Sequence, residues 1–226
     1  MGKRIIKYIK NILYCLVQLI YSGDEHCVIC NEYSEESEPL CTKCREKLRR
    51  CEESFYIGTN EEKYPVRSVF YYSNIVKELI IRLKYKNDFI CGEILAKYML
   101  EFVKNSKLQF DLISYVPMTK RALKNRGYNQ SEFLANNLSR FLNIPVICTL
   151  IKIKETKDQI GLNGEERWNN MEKCFEVQEN KSIRNKKILL IDDVITTGAT
   201  AFHCAHCLKE KGKNDVYILT IAKSNV

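Results

Sequence analysis

The chain has 226 residues, of which 45% are hydrophobic and 28% charged, enough for one moderate core with a small appendage and unlike a disordered or fibrous chain. Its eleven cysteines, odd in number and partly spaced C-x-x-C, read as metal ligands or buried thiols rather than a disulfide framework, so the expected compartment is the cytoplasm. A formal charge of +8 attracts polyanions or an anionic membrane without selecting among them.

At the N-terminus, around Ile5 to Tyr21, Lys3, Arg4, Lys7 and Lys10 alternate with Ile6, Ile9, Leu13, Leu16, Val17 and Ile20 in the spacing of an amphipathic helix. The stretch is short and charged for a membrane span, and Tyr21-Ser22-Gly23-Asp24 is a poor signal-peptide cleavage site. Packing on the following domain is the expectation, with peripheral membrane contact as the alternative. Next come Cys27-x-x-Cys30 and, after a ten-residue loop, Cys41-x-x-Cys44. Two such knuckles supply four thiolates for one tetrahedral, structural zinc ion, and a segment this small needs the metal for stability. The expected boundaries are 1–22 for the helix, 23–54 for the zinc module and 55–226 for the main domain.

In that domain, Phe55 to Tyr72 reads as a pair of short strands, followed by a helix that Asn74 caps and that runs through Tyr85 with Lys84 near its end. A second helix covers Cys91 to Asn105, and Asp111 to Val116 is a strand ended by Pro117. The basic residues Lys120, Arg121, Lys124 and Arg126 that follow read as a loop suited to phosphate oxygens, which guanidinium groups bind bidentately. Then come a helix from Ser131 to Leu142, a β-branched strand from Val146 to Ile153 and a polar connection. That connection, within 153–172, has the length of a lid that excludes water, and the strand Lys173 to Gln178 follows it.

The segment Ile188 to Thr200 is the richest in chemistry. Ile188 to Ile191 has the unbroken apolar character of a parallel strand covered on both faces, and Asp192 and Asp193 sit at its carboxyl end. In open α/β sheets ligands bind outside those ends. Thr196, Thr197, Gly198, Ala199 and Thr200 then open a helix whose unpaired N–H groups and dipole favour an anion. Carboxylates beside a phosphate cradle face ribose hydroxyls or a magnesium ion, so the segment describes a ribose phosphate site. No Walker loop or Gly-x-Gly-x-x-Gly pattern is present there. In the helix that follows, Ala201, Cys204, Ala205 and Leu208 form a sheet-facing stripe, so Cys204-x-x-Cys207 with His203 and His206 reads as packing rather than a second metal site.

The string DDVITTGAT, from Asp192 to Thr200, resembles the phosphoribosyl pyrophosphate (PRPP) loop of type I phosphoribosyltransferases. The cysteine knuckles, Leu83-Lys84-Tyr85, the VP-x-x-x-R-x-x-x-RGYNQ run from Val116 to Gln130 and the Thr156–Asn169 run narrow the likeness. They resemble the ComF/GntX-like, competence-associated branch of that family. The resemblance implies an α/β fold, a mainly parallel sheet flanked by helices, with a small N-terminal zinc-binding module. It also implies that Asp192 and Asp193 bind the ribose hydroxyls of magnesium-PRPP, and that Val194 and Thr196 to Thr200 wrap the phosphate. Lys84, Arg121, Arg126 and Gln130 would meet pyrophosphate, and Asp192, Asp193 and Arg126 are the expected catalytic residues. Lys152 and Lys154 stand where arginines often precede the lid run, and Thr196 stands where some relatives carry an acid that serves as base. The implied role is in DNA uptake, with phosphoribosyl transfer to an acceptor, or with single-stranded DNA and competence proteins as partners of a non-catalytic factor.

Overall fold

The computed structural model describes residues 25–34, 38–154, 173–178 and 183–224; the amphipathic N-terminal segment and most of the expected lid lie outside them. The chain divides between Lys47 and Leu48 into two compact units. In the first, Asn31 adopts a left-handed conformation, φ 60°, that turns the backbone so that its N–H donates to Cys27 O at 2.8 Å. The turn draws Cys27 and Cys30 to one side. Cys41 caps a short helix, α1 (Thr42–Glu46), which carries Cys44 on its buried face.

The second unit is a five-stranded sheet in the order β1-β2-β7-β6-β3. Its strands are β1 (Ser54–Gly58), β2 (Lys63–Tyr71), β3 (Leu112–Tyr115), β6 (Lys187–Ile195) and β7 (Asp215–Lys223). Only β1 runs antiparallel, and the other three pairings are parallel. The expected architecture, a mainly parallel sheet flanked by helices with a four-cysteine module ahead of it, is therefore present. The apolar run of β6 explains its place inside the sheet: Ile188 and Leu190 enter the core shared with helix α6 (Ala199–Gly212), while Leu189 and Ile191 are buried on the opposite face. Ala201, Cys204, Ala205 and Leu208 form the buried stripe of α6, as their spacing predicts.

Three sequence readings shift. Strand β6 does not stop at Ile191, because its ladder with β7 continues through Asp192↔Thr220 and Val194↔Ala222, so the acidic pair lies within the strand. The basic segment is not a loop but a helix, α4 (Lys120–Arg126): the Thr119 hydroxyl accepts from Ala122 N at 3.2 Å and Gly127, φ 84°, closes its end. Val146–Ile153 and Lys173–Gln178 contract to β4 (Leu150–Lys152) and β5 (Phe175–Val177), an antiparallel pair of their own outside the central sheet.

Helices α2 (Asn74–Lys86), α3 (Phe89–Asn105) and α5 (Gln130–Leu142) complete the unit; Ser73, not Asn74, occupies the cap position of α2. They close tightly at Gly92, where an added Cβ would stand 2.5 Å from Phe133 Cε1 and 2.8 Å from Leu83 Cδ1. Alanine is the better helix former by about 1 kcal/mol, but overpacking costs about 1–3 kcal/mol. Gly92→Ala is expected to lower stability in urea unfolding, by about 1 kcal/mol, although it raises helix propensity. A stabilised variant would contradict this account of the helix crossing.

Candidate functional site

A cleft of about 840 Å³ runs across the carboxyl ends of the parallel strands. Tyr72 bounds it beyond β2, Ser224 beyond β7, Asp192, Asp193, Val194, Thr196 and Thr200 along and after β6, and Val116 to Thr119 with Arg121, Ala122 and Asn125 after β3. Lys84, Gln130, Ser131 and Lys152 complete its walls. A larger cavity of about 1090 Å³, near Phe175, Phe202 and Cys207, is lined by neither aspartate nor by the turn Thr196–Thr200.

The acidic pair splits because successive strand residues point to opposite faces. Asp193 is 5% exposed and ion-pairs with the Lys84 ammonium, delivered from the last turn of α2. Burial works against the charge on Lys84, but contact with Asp193 and the field of Asp192 hold its pKa above the usual value. Asp193 Oδ1 also accepts from Val194 N at 2.8 Å. Asp192 is half-buried; its Oδ1 accepts from its neighbour's N–H at 2.9 Å and from the Ser131 hydroxyl at 3.1 Å. Burial, with the Asp193 carboxylate beside it, pushes the Asp192 carboxyl up to about 7 despite those donors and Lys84.

After the acids, Gly198 takes φ 82° at the cap position of α6 and brings no capping side chain of its own. The first N–H groups of a helix have no intrahelical partner, so this end offers donors and the positive end of the helix dipole to the cleft. A Cβ at Gly198 would lie 2.7 Å from Ile57 Cγ2, so hairpin residue Ile57 backs the turn directly. Thr196 and Thr200 line the cleft, whereas Thr197 turns its hydroxyl toward Ala199 N, 3.5 Å away, and Ala199 is buried.

The basic helix α4 contributes unevenly. Arg121 lines the cleft. Arg126 does not line it; its guanidinium lies 5.2 Å from the Tyr85 ring centroid and donates to Gln130 Oε1 at 2.5 Å, and Gln130 in turn lines the cleft. Asn129 anchors this corner, donating to Val116 O at 2.9 Å and accepting from Ser131 N at 2.9 Å as the cap of α5. Motif reading passed over Tyr72, Thr119, Ser131, Lys152 and Ser224 as cleft residues. Lys152 alone left a signal, as a lysine in an expected arginine position. Burial lowers the pKa of its ammonium, which lies 5.7 Å from the Phe175 ring centroid.

In the first unit the sulfurs of Cys27, Cys30, Cys41 and Cys44 lie within 4.8 Å of one another, and Cys30 and Cys41 are 3.6 Å apart. Burial raises the Cys44 thiol. At Cys27 burial also opposes the charge, but backbone donors at Cys30, Cys41 and Ile29 prevail and its thiol falls to about 6. Four soft donors, three of them buried, could hold a zinc ion.

No family model matches the chain. It is 31% identical over 191 residues to Competence protein ComFC of Bacillus subtilis, covering 83% of this chain and 72% of that protein. The chain belongs to the ComF family. Competence protein F of Haemophilus influenzae, another relative, is 27% identical over 223 residues, covering 94% of this chain and 96% of that protein. Among solved structures, adenine phosphoribosyltransferase from Leishmania tarentolae aligns with 84% of this ComF chain and 89% of its own at 12% identity, with a TM-score of 0.42. That likeness is too slight to argue from.

The raised Asp192 pKa fixes a pH dependence for this ComF protein. The folded state keeps the proton up to about 7, whereas an unfolded carboxyl releases it near the ordinary value of 3.8. Folding therefore takes up a proton between these values, and stability falls as pH rises through that window. Asp192→Asn is expected to match wild type near pH 4 and to become the more stable of the two toward pH 7 and above, read by urea unfolding. A variant less stable than wild type at pH 8 would contradict the assignment.

Proposed function

We propose that the cleft binds magnesium-PRPP and that the protein serves DNA uptake, with transfer of the phosphoribosyl group to an acceptor as the activity the site is built for. The observation that carries this reading is the juxtaposition, in one cleft, of the acidic pair on β6 and the glycine-capped N-terminus of α6. The turn from Thr196 to Thr200 offers N–H groups and hydroxyls to the ribose phosphate, and Asp192 and Asp193 offer acceptors to the ribose hydroxyls. At the other end of the cleft, Arg121 faces the pyrophosphate, and Gln130 is held there by Arg126. Carboxylate oxygens suit magnesium, which when bound would neutralise pyrophosphate charge. As the bond from ribose to pyrophosphate breaks, the ionised aspartates stabilise the positive charge that develops on the sugar, and Lys84, with Arg121, neutralises the departing pyrophosphate. Thr196 is no base near neutral pH, so an acceptor that needs deprotonation has to bring its own.

The names of the competence relatives favour a second reading, a non-catalytic factor that works on single-stranded DNA with competence proteins while its PRPP site regulates. Zinc in the four-cysteine cluster belongs to both readings.

Calorimetric titration of PRPP tests the first. Binding is expected with magnesium, and Asp192→Asn/Asp193→Asn is expected to weaken it by at least about tenfold, or 1.4 kcal/mol. Unchanged affinity in the double variant would remove PRPP from the site, and binding without any PRPP-dependent release of pyrophosphate across nucleobases and amines would favour the second reading. For the metal, cobalt substitution should give intense thiolate-to-metal absorption in the near ultraviolet that weakens in Cys27→Ser and disappears when Cys27, Cys30, Cys41 and Cys44 are all replaced by serine; its persistence in the fourfold variant would rule out the cluster as the ligand set.

A further inference from the structure

Three ligating side chains converge behind the phosphate turn, outside both sites already described. Glu62 closes the β1–β2 turn, and His206 and Glu210 stand one helical turn apart on α6. Their ligand atoms all lie within 4.8 Å of one another. His206 Nδ1 already contacts Glu62 Oε2, and the Phe202 ring stacks on the imidazole at 5.8 Å with an interplanar angle of 6°. The imidazole is thus held in place from one side by an aromatic face and from another by a carboxylate.

We propose that Glu62, His206 and Glu210 form a second metal site, for a borderline divalent ion such as zinc, with water completing its shell. One imidazole and two carboxylates make a mixed donor set that suits such an ion better than a soft thiolate metal or a cation that takes oxygen alone. Ligand atoms around a tetrahedral zinc with bonds of about 2.1 Å stand about 3.4 Å apart, so the His206–Glu62 contact has to open modestly while Glu210, on the exposed side, swings in. Lys209, 2.8 Å from Glu62 Oε1, is the competing cation. The site therefore takes its ion against one fixed positive charge.

The place gives the ion a consequence. It would staple the β1–β2 turn to α6, the helix whose N-terminus forms the phosphate turn, and Ile57 of the same hairpin touches Gly198. This inference stands independently of what the cleft binds.

Titrating zinc into the full chain, with the four-cysteine cluster already loaded, tests it. Wild type is expected to take one further equivalent, and Glu210→Gln and His206→Asn, both on the solvent-facing side of α6, are expected to lose it. Lys209→Met, which removes the competing ammonium, is expected to tighten it. No further equivalent in wild type, or one that survives in both variants, would leave the cluster as an ion-pair clamp and overturn the proposal.

Discussion

Two adjacent carboxylates on a strand paired on both sides cannot both be hydrated as they would be in water, and much of the second unit is arranged around that constraint. The ladders to β3 and β7 hold β6 inside the sheet as far as Ile191, and the β7 ladder alone continues past Asp192 and keeps the pair in register at the carboxyl edge. The pleat separates the two side chains, so each has to find its own compensation. Asp193 finds it in Lys84, an ammonium placed by the length and capping of α2. Asp192 finds a hydroxyl, an N–H and only the field of Lys84, and holds its proton up to about 7.

An arrangement that leaves one carboxylate under-compensated is poor for stability and useful for binding. A ligand that brings hydroxyls or a divalent cation supplies what the fold withholds, and the neighbouring turn adds the N–H groups of a helix N-terminus for an anion on the same ligand. The corner formed by Asn129, Gln130 and Arg126 shows how the rest of the cleft is kept rigid. Asn129 ties the end of β3 to the start of α5, and Arg126 serves by holding Gln130 rather than by reaching into the cleft.

How much of this could be read from the residues depended on distance along the chain. The apolar run before Asp192, the turn after it and the stripe on α6 are local patterns, and they were legible as such. The two cysteine knuckles were legible because metal ligands impose their spacing on the sequence. Helix α4 was read as a loop because its seven residues carry no apolar face; only the Thr119 cap and Gly127 mark its ends. The extension of β6 past Ile191 was hidden because charges in a strand look like its end, and only the ladder to β7 keeps them in it. The ion pair of Lys84 with Asp193 and the meeting of Glu62 with His206, 144 residues apart, arise from packing that no window of sequence contains.

The central claim is that the charge which costs the fold stability at Asp192 is the charge that holds the ligand. Urea unfolding of wild type and Asp192→Asn at pH 8, each with and without saturating PRPP and magnesium, measures it most directly. A ligand that binds only the folded state adds stability that grows with the logarithm of its concentration over its dissociation constant, so the account predicts that the variant is the more stable alone and that the ligand narrows its lead, because wild type gains more. If the two proteins gain equally from the ligand, the carboxylate at position 192 does not make the trade described.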